Sequence, residues 1–237
     1  MPPALESATR PASLDDASAT RTRVWDLPTR VFHWVVAVAV AAQLATGFGE
    51  VMEWHFRIGY AVLSLLLFRE IWGFVGGRWS RFAALAYSPA SFMNYLRGRP
   101  HRDHLIGHTP LGALSVFAML AILALQVATG LVADDEATSA GPLTRFVSGA
   151  TVRLATGWHS LFGNWIVVAL VSLHVLAVLF HVVVKRHRLV RPMISGDKLF
   201  ADGRAEPSRD DAASRLLALV VFAACAAFAA WIASLRA

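Results

Sequence analysis

Three histidines, His159, His174 and His181, stand in an otherwise apolar run of residues 158–185. A helix turns about 100° per residue, so His159 and His174 end about 60° apart, and His174 and His181 about 20° apart. All three share one helical face. An ionisable side chain in such a run is costly and is a functional hypothesis by default. His33, His55 and His108 lie in or at the ends of other apolar runs, whereas His101, His104 and His187 fall in polar, basic segments. Two neutral imidazoles from facing helices can hold a haem iron axially while an apolar bundle houses the macrocycle. Such ligation leaves no open coordination position, which suits electron transfer rather than oxygen chemistry.

The rest of the chain must position these side chains, and its composition says in what solvent. Of 237 residues, 56% are hydrophobic and 16% charged, where a soluble domain carries about 25% charged. The apolar residues are clustered into five runs, at 30–49, 55–74, 108–132, 159–185 and 214–235. Each is long enough to cross a hydrocarbon core of about 30 Å. The expected class is an all-α integral membrane protein, a four-helix transmembrane bundle with a fifth transmembrane helix. Residues 1–22 are polar without the apolar stretch of a signal peptide, and are expected to be a disordered cytoplasmic tail. The bundle occupies 23–200, a linker 201–213 and the fifth helix 214–237.

The net charge is +6. Its Lys and Arg excess sits between the apolar runs, which sets membrane orientation rather than binding nucleic acid. The tail, the 75–107 loop and the 185–198 segment are basic; the 50–54 turn and the 133–157 loop, which opens with Asp134, Asp135 and Glu136, are not. This pattern predicts a multi-pass protein of a bacterial cytoplasmic membrane, N-terminus inside and C-terminus in the periplasm. The single cysteine, Cys225, rules out an intrachain disulfide, a thiolate-held iron–sulfur cluster or c-type haem attachment.

An internal repeat links the runs. The first ends Gln43-Leu-Ala-Thr-Gly47 and the third Gln126-Val-Ala-Thr-Gly130; the second opens His55-Phe-Arg-Ile-Gly59 and the fourth His159-Ser-Leu-Phe-Gly163. Two parallel hairpins follow, with His55 and His159 at equal depth at the outer ends of facing helices. An inner pair needs His33 and a histidine of the fourth run. His174 lies about 22 Å below His159 and His33 about 24 Å below Gly49, so their depths agree. His181, about 33 Å below His159, is the competitor for the inner position. A zinc site would want its ligands gathered in one shell, and a proton relay would usually recruit intramembrane carboxylates. A histidine-lined transporter or metal-handling channel without haem is the alternative from a different class.

The chain resembles the bacterial cytochrome b561 family, and within it the cytochrome b subunits of nickel–iron hydrogenases and the gamma subunits of formate dehydrogenase. The matching residues are Trp25-Asp26, Arg30, His33-Trp34, Thr46-Gly47, His55, Gly59, Arg69, Trp72-Gly73, His108, Pro110 and Gly112. They continue through Gln126, Thr129-Gly130, His159, Gly163 and Leu173-His174, covering about residues 24–198. The resemblance implies two b haems, held by His55 with His159 and by His33 with His174. The family's spacing within the fourth span is 14 residues, against 15 here. It also implies electron transfer between a periplasmic partner, a c-type cytochrome or an oxidoreductase subunit, and membrane quinone. Arg30, Arg57 and Arg69 are candidates to neutralise haem propionates, with snorkelling to the interface as the other reading. His108 is a candidate quinone contact, with a hydrogen-bonded interfacial histidine as the other. No residue set resembles a complete catalytic site, so an electron-transfer subunit is expected rather than a stand-alone enzyme; a quinol oxidase for a diffusible oxidant is the enzyme version of the same scaffold.

Overall fold

A computed structural model describes residues 20–99, 106–135, 139–200 and 205–236. The first 19 residues of the expected tail, His101, His104 and Glu136 lie outside this set. The elements are β1 (Thr20–Arg23), α1 (Leu27–Phe48), α2 (Met52–Val75), α3 (Pro89–Leu96), α4 (Pro110–Val132), α5 (Gly149–Gly157), a π-helical segment (Trp158–Gly163), α6 (Asn164–Val183), α7 (Val190–Ser195), β2 (Asp197–Phe200) and α8 (Ala212–Ser234). Five helical stretches are long and apolar enough to cross a membrane, the fourth running unbroken over Gly149–Val183. The protein is an all-α membrane bundle. The end carrying β1 is called inner below, and the opposite end outer.

The spans that start at the inner end are announced by their caps. Asp26 accepts from the Thr29 amide with Pro28 in the first turn, Thr109 accepts from Gly112 with Pro110 next to it, and Asp211 accepts from Ser214. A side-chain oxygen here satisfies an amide that the first turn leaves unpaired, and proline there loses nothing. The α1/α2 and α4/α6 hairpins pack through α2 and α4, where Val62, Leu66 and Leu120 form a buried cluster. The fifth span lies along the outside of α2, with Ala218 and Cys225 against Phe68 and Trp72. Cys225 is therefore a small packing residue at that contact.

Two departures from the sequence expectation concern the inner end. Residues 20–22, expected to continue the polar tail, form β1, which pairs antiparallel with β2 from Thr20↔Phe200 to Arg23↔Asp197. The 205–211 stretch, expected as a linker, is stitched into the same cap. Ser208 donates its amide to the Arg23 carbonyl and its hydroxyl to the Val24 carbonyl, while Trp79 donates its indole N–H to the Glu206 carbonyl. Both join residues far apart in the chain through bonds to the backbone, which leave no local periodicity. A third departure is at the outer end, where residues 149–157 of the expected loop are helix. They carry Gly, Thr and Arg among the apolar residues, so hydropathy alone does not extend the span to them.

Asp26 is the hub of the inner end. It is fully buried. Its side-chain oxygens accept from the Thr29 amide at 2.8 Å, the Gly77 amide at 3.0 Å, the Ser80 hydroxyl at 2.8 Å and the Trp72 indole at 3.3 Å. One side chain thus fixes the start of α1 to the end of α2 and to the turn beyond it.

Candidate functional site

The histidines meet in pairs at two levels of the bundle. At the outer level, His55 on α2 and His159 in the π-helical segment have ring centres 6.0 Å apart. At the inner level, His33 on α1 and His174 on α6 are 6.4 Å apart. His181, two turns further along the same face of α6, makes other contacts. Its Nδ1 donates to the Ala177 carbonyl, and its ring lies 6.0 Å from His187. Among the described residues no three His, Cys, Asp or Glu side chains converge on one point.

The internal repeat acquires a physical meaning in three dimensions. A Cβ on Gly47 would lie 3.1 Å from Cε1 of His55, and one on Gly130 only 2.6 Å from Cε1 of His159. A Cβ on Gly59 would meet the Gln43 amide at 3.2 Å, and one on Gly163 would overlap the Gln126 amide. So in each hairpin the glycine of the first helix seats the histidine of the second, and the glycine of the second seats the glutamine of the first. Sequence reasoning saw the motif, whose glycines ordinary helix packing would explain as well, but not this interlock.

Hydrogen bonds settle the tautomers at the outer level. Nδ1 of His159 lies 2.8 Å from the Gln126 carbonyl, which can only accept, so Nδ1 carries the proton and Nε2 keeps its lone pair. Thr46 donates its hydroxyl proton to the Ala42 carbonyl, which turns an oxygen lone pair toward Nδ1 of His55 at 3.4 Å; Nε2 of His55 accepts from the Gln43 amide at 3.1 Å. Both rings thus present Nε2 as the basic nitrogen. The π-helical segment contributes too. A π turn absorbs about one extra residue, so the fifteen residues between His159 and His174 span the helix as roughly fourteen would. Hydropathy gives no sign of that turn.

The inner level is lined by polar atoms without partners. Nδ1 of His33, Nη1 of Arg69 and Nδ1 of His108 are buried, and none has a hydrogen-bond partner among the described residues. Arg69 is 5% exposed and its guanidinium lies 4.7 Å from the Phe82 ring centre. His108 packs edge-on to Trp25, with ring centres 4.7 Å apart. Burial, with the charges of Lys198 and Arg69 close by, pushes its pKa down to about 3, so His108 is neutral at physiological pH. Lys198 donates to the Ile106 carbonyl at 2.7 Å, and burial lowers its pKa to about 8. Of the other two candidate arginines, Arg57 is engaged, and Arg30 is engaged at Nη1 while its Nε is buried without a partner among the described residues. Arg57 is exposed and paired with Glu53 at 2.6 Å, and Arg30 donates to the Ile194 carbonyl at 2.5 Å.

These residues fit a haem-type metal group at each level. Two imidazole nitrogens on either side of one first-row metal ion, each bonded at roughly 2 Å, put their ring centres about 6 Å apart once each ring's half-width is added. Both pairs have that separation. A cavity of about 260 Å³, mostly apolar, surrounds the outer pair. The side-chain oxygens of Gln43 and Gln126, two residues of its lining, are buried and have no hydrogen-bond partner among the described residues. Paired imidazoles in an apolar cleft can carry electrons through a bound metal and leave no position for substrate on it.

Comparison with known proteins points the same way. The family model described as prokaryotic cytochrome b561 matches residues 24–196. The probable Ni/Fe-hydrogenase B-type cytochrome subunit of Azotobacter chroococcum mcd 1 is 27% identical over 224 residues, covering 79% of this chain and 92% of the relative. The protein of the same name from Rhodobacter capsulatus is 27% identical, covering 82% and 89%. The probable Ni/Fe-hydrogenase 1 B-type cytochrome subunit of Escherichia coli K12 is 24% identical, covering 73% and 88%. No solved structure matches.

Proposed function

The chain belongs to the prokaryotic cytochrome b561 family, and on that premise we propose that it is a dihaem b-type cytochrome that carries electrons across the bacterial cytoplasmic membrane to quinone. His55 and His159 hold the outer haem, and His33 and His174 the inner one. The observation that carries this reading is the pairing of four histidines, two by two, at opposite ends of one bundle. A bound haem b would supply a one-electron couple at each level. The residues supply everything else. Gln126 and Thr46 fix the ring tautomers at the outer level. Arg69 offers a buried, unpartnered N–H to a propionate at the inner level.

Arg69 has a buried N–H, and His108 a buried ring nitrogen, without a partner among the described residues at the inner end, and a quinone carbonyl is an acceptor that suits the Arg69 donor. Among the described residues Lys and Arg crowd the inner end, with Arg78, Arg81, Arg97, Arg99, Lys185, Arg186, Arg188, Arg191 and Lys198, whereas the outer end carries Arg57, Arg145, Arg153 and Arg236 beside the acids Glu50, Glu53, Asp134 and Asp135. That asymmetry supports an inner end in the cytoplasm. The outer face then meets the electron donor, an oxidoreductase of the nickel–iron hydrogenase kind on the pattern of the named relatives; a c-type cytochrome is the other candidate donor.

A pyridine haemochrome assay on detergent-purified protein tests the reading. The expected result is two b haems per chain. One haem retires one of the pairs, and none sinks the proposal in favour of a colourless transporter. Gly130→Ala is a second test. Its methyl would stand 2.6 Å from the His159 ring, closer than carbon atoms approach, so the ring must move and the outer haem is expected to be lost. Gly47→Ala needs a shift of only a few tenths of an ångström at 3.1 Å, so that variant is expected to keep most of its haem.

A further inference from the structure

The two histidine pairs differ in what surrounds them. At the outer level both rings have an acceptor at Nδ1: the Gln126 carbonyl at 2.8 Å for His159 and the Thr46 hydroxyl oxygen at 3.4 Å for His55. At the inner level neither ring of His33 or His174 has a hydrogen bond among the described residues, and Nδ1 of His33 is buried without one. An acceptor on Nδ1–H makes the imidazole a stronger donor to its metal, which favours the oxidised metal and lowers the reduction potential.

Charge divides the same way. Asp134 and Asp135 line the outer cavity, and no Lys or Arg is among its described lining residues. Arg57, paired with Glu53, and Arg236, over the ring of the lining residue Phe56, are exposed. Solvent screens such charges. At the inner level Arg69 is buried with the Glu70 and Asp26 carboxylates acting on it, and Lys198 is half-buried. Both act electrostatically on His108, as do His33 and His174. A buried cation favours the electron-rich, reduced state of a nearby centre and raises its potential.

We propose that the outer pair holds the lower-potential centre and the inner pair the higher, with Thr46 and the Gln126 carbonyl lowering the first and Arg69 and Lys198 raising the second. The inference rests on the reading that each pair holds a b haem. It gives the protein a polarity: electrons run downhill from the outer face inward. Each transfer oxidises a reduced donor at the outer face by one electron. Two such electrons, with two protons, convert one quinone to quinol at the inner end.

The test is a potentiometric titration of the purified protein followed at the reduced alpha band. Two resolved waves are expected in the wild type. Thr46→Val removes the acceptor from His55 and is expected to raise the lower wave alone. Arg69→Gln removes a buried cation and is expected to lower the upper wave alone; Lys198→Met, outside the spans, gives a shift of the same sign where Arg69→Gln fails to assemble. A single wave, a Thr46→Val shift of the upper wave, or an Arg69→Gln or Lys198→Met shift of the lower one overturns the proposal. A haem count below two overturns the dihaem reading and this inference with it, and that count is measured on the same sample.

Discussion

His174→Ala is expected to leave the purified protein with about one haem b where the proposed dihaem protein has two, and His181→Ala to leave it with both. The difference is geometric. His174 stands 6.4 Å from His33 across the bundle, whereas His181 faces His187 and donates to its own helix. On the proposed ligation, removing one imidazole of a pair would remove half of what holds the group. Residues that act as one unit are not additive. The double variant His33→Ala with His174→Ala is therefore expected to lose no more haem than either single. His33→Ala combined with His55→Ala strikes both levels and is expected to lose both haems. Haemochrome content per chain separates these cases. Retention of two haems by His174→Ala would remove it from the site, and loss of one in His181→Ala would put that residue in its place.

Asp26→Ala is expected to be the most destabilising single substitution at the inner end. It strips the acceptor from four buried donors, the Thr29 and Gly77 amides, the Ser80 hydroxyl and the Trp72 indole. Each buried donor left without a partner costs about 1–3 kcal/mol. With partial compensation, through the Ser80 and Thr29 hydroxyls that already bond each other at 2.7 Å, the net loss is on the order of 3–5 kcal/mol. In thermal unfolding of the detergent-solubilised protein this corresponds to a fall of roughly 10 °C in midpoint. The inner level should also loosen before the outer. Asp26 ties the start of α1, two turns before His33, to the end of α2, while the His55–His159 pair lies at the far end of the bundle. On heating the variant, haem loss is therefore expected from the inner pair first. An unchanged midpoint would mean that the turn at 76–80 rebuilds its bonds without Asp26.

The sequence by itself determined the solvent, the number of spans and the identity of the candidate ligands. Apolar runs of span length, basic segments on one side and isolated histidines within the runs are local or strictly periodic signals. It also displayed the repeat of Gln-x-Ala-Thr-Gly with His-x-x-x-Gly, because the same contacts recur in each hairpin. Tertiary structure decided the rest. Which histidine of the fourth span meets His33 is decided by the depth at which α1 and α6 set their side chains, because His174 and His181 share one face of α6. The hydrogen bonds that set the tautomers of His55 and His159 run between helices. β1 and β2, and the ties from Ser208 and Glu206 to the β1 end and Trp79, join residues far apart in the chain, and backbone pairing leaves no trace in side-chain pattern. Asp26 illustrates the division best: as a residue before Leu27-Pro28 it announces a helix start, but only the folded inner end brings Trp72, Gly77 and Ser80 to the same carboxyl group.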